Sequence, residues 1–488
     1  MKTFLLAALT GALAFNARAH GFEERYDLPV PLDYVVAAAC AIVFLSFVIA
    51  VLFVRQPRTV FLQACTATEF MPQARSVNWF VYFLRGFSFL LFALTIISAL
   101  WGSADPLMNL APTLVWIVWW IGMSFLVMLL GDFWPAIDPL RSTFDVLDFC
   151  SRKLGRSQGL SAGKAWPVWL GVWPAVFFLL VWCWLEVVNP IATSPLRLGY
   201  AALVWYLVNL VGMTYFGRDA WQRHADVFAL YFSMLGRISP LKFTNHWPLI
   251  SLRPRGGTLI RAKSNWTLSH AGFVMAMLST VLFDGLHGGT AWIVFEEVLK
   301  KVRPQWLDVN GYFSGTTGLV TVWLVFLMVY LVTCRISASV VVSSANWKTG
   351  IAIAARFAPT LIPIAGAYNI AHNFSNLMIQ GQRVFQLFSD PLGRQWDLFG
   401  TARFYPDISV VDASLTWYVA VVAIVMGHVV SVWLSHSMTL TMGLSARRAA
   451  MAAMPLTVLM LIYTAISLSV IAEPMVSYTP DLIFNSVR

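Results

Sequence analysis

The sequence predicts an all-α protein, a polytopic helical membrane protein with about ten transmembrane helices after a cleavable signal peptide. Three observations predict this fold class. The 488 residues are 59% hydrophobic and only 11% charged, whereas a soluble globular chain carries roughly 25% charged residues. Apolar runs of about 20 residues, the length that crosses a bilayer, recur along the chain. Basic residues concentrate in alternate connecting loops, as expected of loops that stay on one side of a membrane.

The first apolar run has the layout of a secretory signal. Lys2 precedes a short apolar stretch, and the small-residue tripeptide Ala17–Ala19 follows it. This order of segments is typical of a cleavable leader. We therefore expect residues 1–19 to be removed, so that residues 20–488 form a single helical transmembrane domain. Cleavage would make His20 the mature N-terminus, where the α-amine and the imidazole together can clamp a transition metal.

Ten further apolar segments are each long enough for a transmembrane helix. If the mature N-terminus lies outside, the inner loops hold twenty basic residues and the outer segments hold nine. This bias favours a bacterial inner-membrane protein with both mature termini in the periplasm. The predicted spans are roughly 33–54, 78–101, 112–131, 166–188, 196–217, 266–286, 317–337, 349–372, 412–435 and 450–472.

Several stretches between the spans have a composition of their own. Residues 132–147 mix Trp, Pro and Asp at the inner edge of the third helix, and residues 219–241 predict an amphipathic helix along the inner surface. Residues 287–316 and 380–411 are long outer loops rich in aromatic and acidic side chains, and they are candidates to roof a site that opens outward.

Composition and motifs argue against several function classes. The net charge of +10 is spread over short loops between apolar spans, so we expect the lipid bilayer, and no nucleic acid, as the partner of these charges. The five cysteines form no CxxC pair, which disfavours a disulfide framework or a zinc ribbon. The sequence has no dinucleotide-binding glycine motif after a strand, no Walker lysine loop and no GxSxG elbow.

Ionisable side chains inside the spans are the candidate functional residues, because placing them in lipid is costly. His372 lies near the outer end of the eighth helix, and Asp284 and His287 lie three residues apart at the outer end of the sixth. His20 is on the same side. We expect these four residues to meet in the outer leaflet. A simpler interpretation of Asp284 and His287 is that they only cap the end of the sixth helix.

Two histidines lie deeper in the ninth helix. His428, near its middle, would form the floor of the site, and His436 lies about two turns nearer the inner edge. Both also fit simpler roles, as hydrogen-bond donors between helices or at the membrane edge. Glu186 is interpreted as a contact between helices. The predicted catalytic residues are His372, Asp284 and His428, and the predicted metal ligands are His20, Asp284, His287, His372, His428 and His436.

Imidazole and carboxylate ligands suit a divalent transition metal, and we expect zinc or copper. No spacing among these residues matches an established metal motif such as HExxH. The prediction of a metal site therefore depends on the depth and the side of the membrane at which these residues lie.

Four patches spread over most of the chain carry a family resemblance. They are His20–Leu32, Ser279–Gly285, Ala371–Ser375 with Gln380–Gln382, and Gly427–His428 with His436. In these patches the chain resembles the fenitrothion hydrolases, a family of bacterial membrane proteins. It differs from the expected pattern at Asn373, where an aromatic residue is expected, and at Ser437, where an acidic one is expected.

The resemblance implies metal-dependent hydrolysis of a small apolar organophosphorus triester such as fenitrothion, with loss of the aryl group as nitrophenolate. It implies His20, Asp284, His372 and His428 as metal ligands, and His287 as a residue that positions a ligand or moves a proton. Such a substrate partitions into the bilayer, and a bound metal would lower the pKa of its water to about 7.

The same histidines fit a second class of function, a transporter or sensor for a transition metal or small solute that performs no catalysis. A cluster on the outer side favours an enzyme or a sensor. A ladder of His372, His428 and His436 through the bilayer favours transport. The terminal histidine leaves an oxidative metalloenzyme as a third option. Both arrangements are present in the sequence, so the choice stays open at this level, as do the metal and the oligomeric state.

Overall fold

Ten helices cross the molecule from one end to the other. The computed structural model describes residues 26–55, 79–243, 250–252, 266–302 and 311–477, and within these ranges ten helices are long and apolar enough to span a membrane. The chain is therefore a multi-pass membrane protein, and the predicted fold class is confirmed. The predicted signal peptide, residues 1–19, and His20 lie outside the described residues. The spans, named α1 to α10 in chain order, are Leu32–Phe53, Trp79–Trp101, Leu110–Leu130, Val168–Val188, Pro195–Phe216, Leu268–His287, Tyr312–Val341, Trp347–Gln380, Ala413–Leu440 and Ala446–Glu473.

In the part of the chain that the structure describes, four very short strands accompany the helices. They are β1 (Tyr26–Asp27), β2 (Leu241–Phe243), β3 (Ile250–Leu252) and β4 (Val476–Ser477). β1 pairs in parallel with β4, and β2 pairs antiparallel with β3. Since ten spans return the chain to its starting side, the β1–β4 pair marks one end of the bundle. We call that end the terminal face and the other end the opposite face.

Three of the spans, α3, α4 and α8, are not uniform α-helices. The last span, α10, is a regular helix that continues to Met475. π-Helical turns are rare and are frequently found at functional sites. α3 consists of the α-helical segments Leu110–Pro112 and Met123–Leu130 with the π-helix Thr113–Gly122 between them. α4 consists of the 3₁₀ turn Val168–Leu170, the α-helical segment Trp173–Cys183 and the π-helix Trp184–Val188. α8 consists of the α-helical segments Trp347–Phe357 and Ile362–Gln380 with the 3₁₀ turn Ala358–Leu361 between them.

Shorter helices occupy the connections between the spans. Their bounds are Trp134–Ile137, Pro139–Lys153, Arg218–His224, Val227–Leu235, Thr290–Val302 and Arg383–Ser389, with 3₁₀ turns at Pro190–Thr193 and Ile408–Val410.

The segment predicted as one amphipathic surface helix, residues 219–241, folds differently. It forms two short helices, and the second, Val227–Leu235, is buried within the bundle. Phe228 packs against Trp119 of α3 with ring centroids 4.3 Å apart. Apart from Ser233 and the Tyr231 hydroxyl, the helix Val227–Leu235 is apolar on every side, and such a helix is stable inside a protein rather than at a water-exposed surface.

The helices at the centre of the bundle are α6 and α8, with α9 packed against α8. The apolar windows of α6 and α8 are 72% and 83% buried, against 17% and 11% for α1 and α2. Small residues permit this packing, because a Cβ at Gly427 of α9 would collide with the Cβ of Ala367 of α8. Asp284, His287 and His372 of the predicted site therefore lie on the two most enclosed helices.

Candidate functional site

Asp284 and His372 form a hydrogen-bonded pair between α6 and α8. The Oδ2 atom of Asp284 lies 2.7 Å from Nε2 of His372. Asp284 is three residues before the end of α6, and both residues lie in the half of their helix that approaches the terminal face. A carboxylate can only accept, so Nε2 carries the hydrogen, and in the neutral imidazole Nδ1 keeps a lone pair. The His372 and Asp284 side chains keep 26% and 38% of their surface exposed, so the pair is not sealed inside the bundle.

Gly285 allows the helices around this pair to come close together. A Cβ at this position would lie 2.8 Å from Cγ1 of Val470 on α10 and 3.7 Å from the hydroxyl oxygen of Tyr368. A larger residue would push α6 away from α10, because side chains in a packed interior have little space to move. The absence of a side chain at Gly285 therefore helps to place Asp284 against α8.

A row of rings connects the pair with His428. Tyr368 stacks on His372 with centroids 6.5 Å apart, and Tyr463 lies 6.3 Å beyond Tyr368. His428 follows, with its centroid 5.8 Å from that of Tyr463. The Tyr463 hydroxyl donates to the carbonyl oxygen of Leu278, whereas the Tyr368 hydroxyl is buried without a partner. Two tyrosine rings thus stand between His428 and His372.

The two histidines of α9 each bond to a backbone carbonyl. Nδ1 of His428 donates to the carbonyl oxygen of Ile424 at 2.8 Å, and Nε2 of His436 donates to that of Val54 at 3.0 Å. Val54 directly follows α1 at the opposite face. His436 is therefore at the other end of the bundle from Asp284, and the structure does not bring it to the pair. Each histidine keeps its second ring nitrogen buried without a partner.

His287 lies beside the pair but faces aromatic side chains. Its ring centroid is 5.5 Å from that of Phe283 and 4.7 Å from that of Trp292. It is close enough to Asp284 for an electrostatic interaction. Its place next to Asp284 matches the sequence prediction, whereas its closest packing is against apolar rings.

The described side chains around the pair offer few ligands for the predicted metal. Among the residues that the structure describes, no three His, Cys, Asp or Glu side chains come together in a way that could hold a metal ion. A catalytic zinc site takes three protein ligands. With Nε2 of His372 already bonded to Asp284, the pair offers only Nδ1 and one free carboxylate oxygen. The described side chains by themselves therefore do not fit a catalytic zinc site.

Glu186 is a further acidic residue beside the pair, and the sequence had suggested only a contact between helices for it. It lies on the π-helical segment Trp184–Val188, two residues from the end of α4, at a depth similar to that of Asp284. Its carboxylate interacts electrostatically with Asp284, and the indole of Trp120 is its hydrogen-bonding neighbour. The matching distance of both acidic residues from their helix ends is the sequence signal that could have placed them together.

A second group of buried polar residues lies at the opposite face, outside the spans. The Asp138 carboxylate accepts a hydrogen bond from Gln222, whose own carbonyl accepts from Arg141 at 3.3 Å. Asp226 caps the helix Val227–Leu235 with one carboxylate oxygen, and its other oxygen is buried without a partner. Burial raises the pKa of Asp138 to about 6, and burial together with the nearby Asp138 charge raises the pKa of Asp226 to about 8.

Comparison of the chain with protein-family models, with curated proteins and with solved structures finds no match. The resemblance to fenitrothion hydrolases therefore depends only on the sequence patches described above. The function has to be inferred from the pair itself and from the residues around it.

Proposed function

We propose that this chain is a hydrolase of the bacterial inner membrane that cleaves the aryl ester bond of apolar organophosphorus triesters such as fenitrothion. The observation that carries this proposal is the 2.7 Å hydrogen bond between Asp284 and His372. An imidazole oriented by a carboxylate is the arrangement with which many hydrolases take a proton from the attacking group. The substrate class comes from the family resemblance. In this proposal the terminal face is periplasmic, together with both mature termini.

The chemistry assigns one step to each member of the pair. Nδ1 of His372 takes a proton from a water molecule while the water oxygen bonds to phosphorus. The bond between phosphorus and the aryl oxygen breaks, and the aryl group leaves as a phenolate. Asp284 holds the ring in the tautomer with a free Nδ1 and stabilises the positive charge that the ring gains. Nitrophenolate is a good leaving group, so this step needs no general acid.

The surroundings of the pair suit an apolar substrate. The apolar rings of Phe283 and Trp292 lie next to His287, and the ring of Tyr368 stacks on His372. A triester that is dissolved in the bilayer can reach the pair sideways, because both members keep part of their surface exposed. The low dielectric of such a site also strengthens the hydrogen bond between the pair.

Nitrophenolate release by the purified protein tests this proposal. We expect His372→Ala to lower the turnover of fenitrothion by about 10²- to 10⁴-fold, the usual contribution of a general base. Asp284→Asn should lower it as well, because the amide can donate to the ring and favour the wrong tautomer. His224→Ala is the matched control, since His224 stacks on Trp166 and lies in a short helix at the opposite face. Unchanged turnover in His372→Ala would exclude the pair as the catalytic group.

A divalent transition metal, zinc or copper, is a separate proposal. It needs His20 at the processed N-terminus as an additional ligand, since the described residues supply too few. Elemental analysis and N-terminal sequencing of the purified protein test it together. We expect Ala19→Trp, which should block cleavage, to lower the metal content. An equal metal content in both proteins would show that the free terminus plays no part.

One observation favours transport or sensing as a second candidate function. His428 and His436 are both buried in α9, and each keeps an unpartnered ring nitrogen. Ionisable groups in such positions often mark ion or proton pathways in membrane proteins. Under this alternative, His428→Phe would lower the flux of a metal ion or proton into proteoliposomes. The hydrolase proposal instead predicts no flux in the wild-type protein.

A further inference from the structure

A row of polar side chains runs through the half of α9 that approaches the opposite face. His428, Ser431, Ser435 and Thr439 follow one another at spacings of three and four residues, so they lie on one side of the helix. All four are at most 1% exposed, and the neighbouring His436 is fully buried too. Most of α9 is otherwise apolar, which makes this row a local feature.

Several polar atoms of this segment have no hydrogen-bond partner. They are Nε2 of His428, Oγ of Ser431, Nδ1 of His436 and Oγ of Ser437. A serine inside a helix usually satisfies its hydroxyl on a carbonyl of the preceding turn, as Ser435 does with Val432 at 2.9 Å. Unpaired polar atoms in an apolar interior are costly, and in proteins they are commonly satisfied by buried water.

The helices next to α9 extend this row in both directions. Towards the opposite face, His436 contacts the ring of Phe47 and the carbonyl of Val54 at the end of α1. Towards the terminal face, the His428 ring faces Tyr463 of α10. One turn beyond Tyr463, Ser467 is fully buried, and its hydroxyl is a hydrogen-bonding neighbour of the Tyr463 hydroxyl. Buried polar side chains therefore extend from the end of α1 to the ring row at the candidate site.

We propose that the row of His428, Ser431, Ser435 and Thr439, together with His436, lines a narrow water-filled path that leads from the opposite face to His428 and Tyr463. Water molecules and hydrated protons would occupy the path, and hydroxyl groups and imidazole nitrogens are suitable hydrogen-bond donors and acceptors for them. The path would connect the ring row of the candidate site with water at the opposite face, whereas Asp284 lies near the terminal face. It does not depend on the proposed hydrolysis, because it follows from α9 and its neighbours alone.

The reactivity of introduced thiols with silver ions in chloride-free buffer tests the path. Silver ions are small and stay in water, and a cysteine is close in size to serine. Ser431→Cys places a thiol in the path. Ala276→Cys is the matched control, because Ala276 is fully buried and lies eight residues inside α6, at about the depth of Ser431, on a helix that contributes none of these side chains. Mass spectrometry of the α6 and α9 peptides measures modification at each position in the full-length purified protein and separates it from the native cysteines.

We expect the thiol of Ser431→Cys to react at least about tenfold faster than that of Ala276→Cys, because a sealed position is reached only through local opening of the helix packing. Ser435→Cys, a second buried position in the same row, should also react faster than the control. Equal rates for Ser431→Cys and Ala276→Cys would overturn the proposal. If both were slow the row would be dry, and if both were fast the bundle would be loosely packed and α9 would not line a defined path.

Discussion

Asp226→Asn should remove much of the pH dependence of stability between pH 6 and pH 8. Asp226 is 1% exposed, and its pKa rises from the usual 3.8 to about 8 because of burial and the nearby Asp138. In the folded protein it therefore holds a proton at pH 6 and loses it around pH 8. In the unfolded chain it is ionised throughout this range. The folded state thus binds one more proton, so the free energy of unfolding falls as the pH rises.

The size of the effect follows from the pKa of about 8. Each pH unit over which only the folded state holds the proton costs about 1.4 kcal/mol. Between pH 6 and pH 8 the proton is held for most of the range, which gives a loss of about 2 kcal/mol. Asp138 adds a smaller loss in the same direction, because its pKa is raised only to about 6. Above about pH 9 the contribution of Asp226 no longer changes, because the folded state has then lost its proton too.

Asparagine keeps the shape of the side chain and stays neutral at every pH. Its amide oxygen can still accept from the backbone N–H groups of Phe228 and Ala229, as Asp226 does at 3.1 and 3.2 Å. We therefore expect Asp226→Asn to lose about 2 kcal/mol of the pH-dependent change while keeping the helix cap. At pH 8 the variant should be more stable than the wild-type protein.

Chemical unfolding in detergent at pH 6, 7 and 8, followed by tryptophan fluorescence, measures this difference. The control is Asp219→Asn. Asp219 is exposed, and its hydrogen bond with Arg218 lowers its pKa, so it stays ionised across the whole range in both states. Asp219→Asn should therefore keep the wild-type pH dependence. If Asp226→Asn kept the wild-type slope as well, the inference that Asp226 binds a proton in the folded protein would be wrong.

Two further predictions concern the packing that positions the candidate site. Gly285→Ala should lower the free energy of unfolding by about 1–3 kcal/mol, the usual cost of overpacking, because its Cβ would lie 2.8 Å from Val470. Denaturant unfolding should show partial recovery in the double variant with Val470→Ala, and no recovery would argue against a clash at this contact. Tyr330→Phe should lower the free energy of unfolding by about 0.5–1.5 kcal/mol, because the buried hydroxyl donates to the carbonyl of Ala354 at 2.7 Å. Denaturant unfolding also measures this change, and an unchanged free energy of unfolding would show that the hydrogen bond makes no net contribution to stability.

The fold class and the number of spans were predictable because they depend on local composition. A run of about 20 apolar residues is enough to identify a membrane helix, whatever its neighbours are. Hydropathy gives the length of a span but not its type of helix, so the π-helical segments of α3 and α4 were not predicted. The helix Val227–Leu235 was also misplaced, because its burial depends on Trp119 and the other side chains that surround it in the folded protein.

The candidate site was predictable only in part. The cost of placing charges in lipid is enough to select Asp284, His372 and His428 from the sequence. The sequence places Glu186 and Asp284 at similar distances from their helix ends, but it could not show that these two helices are neighbours. Nor could it show that His436 bonds to the end of α1. Such contacts depend on how each helix is rotated and on which helix lies next to it.

By itself, the sequence determined that this chain crosses a membrane about ten times and carries a few ionisable side chains inside its spans. Hydropathy is a sum over neighbouring residues, so it can be evaluated along the chain without knowing the fold. The tertiary structure decided which of those side chains meet. Asp284 and His372 are 88 positions apart, and close packing around residues without large side chains, such as Gly285, sets the contact between their helices. Such packing depends on which two helices are neighbours and how each is rotated, and no short stretch of sequence specifies this.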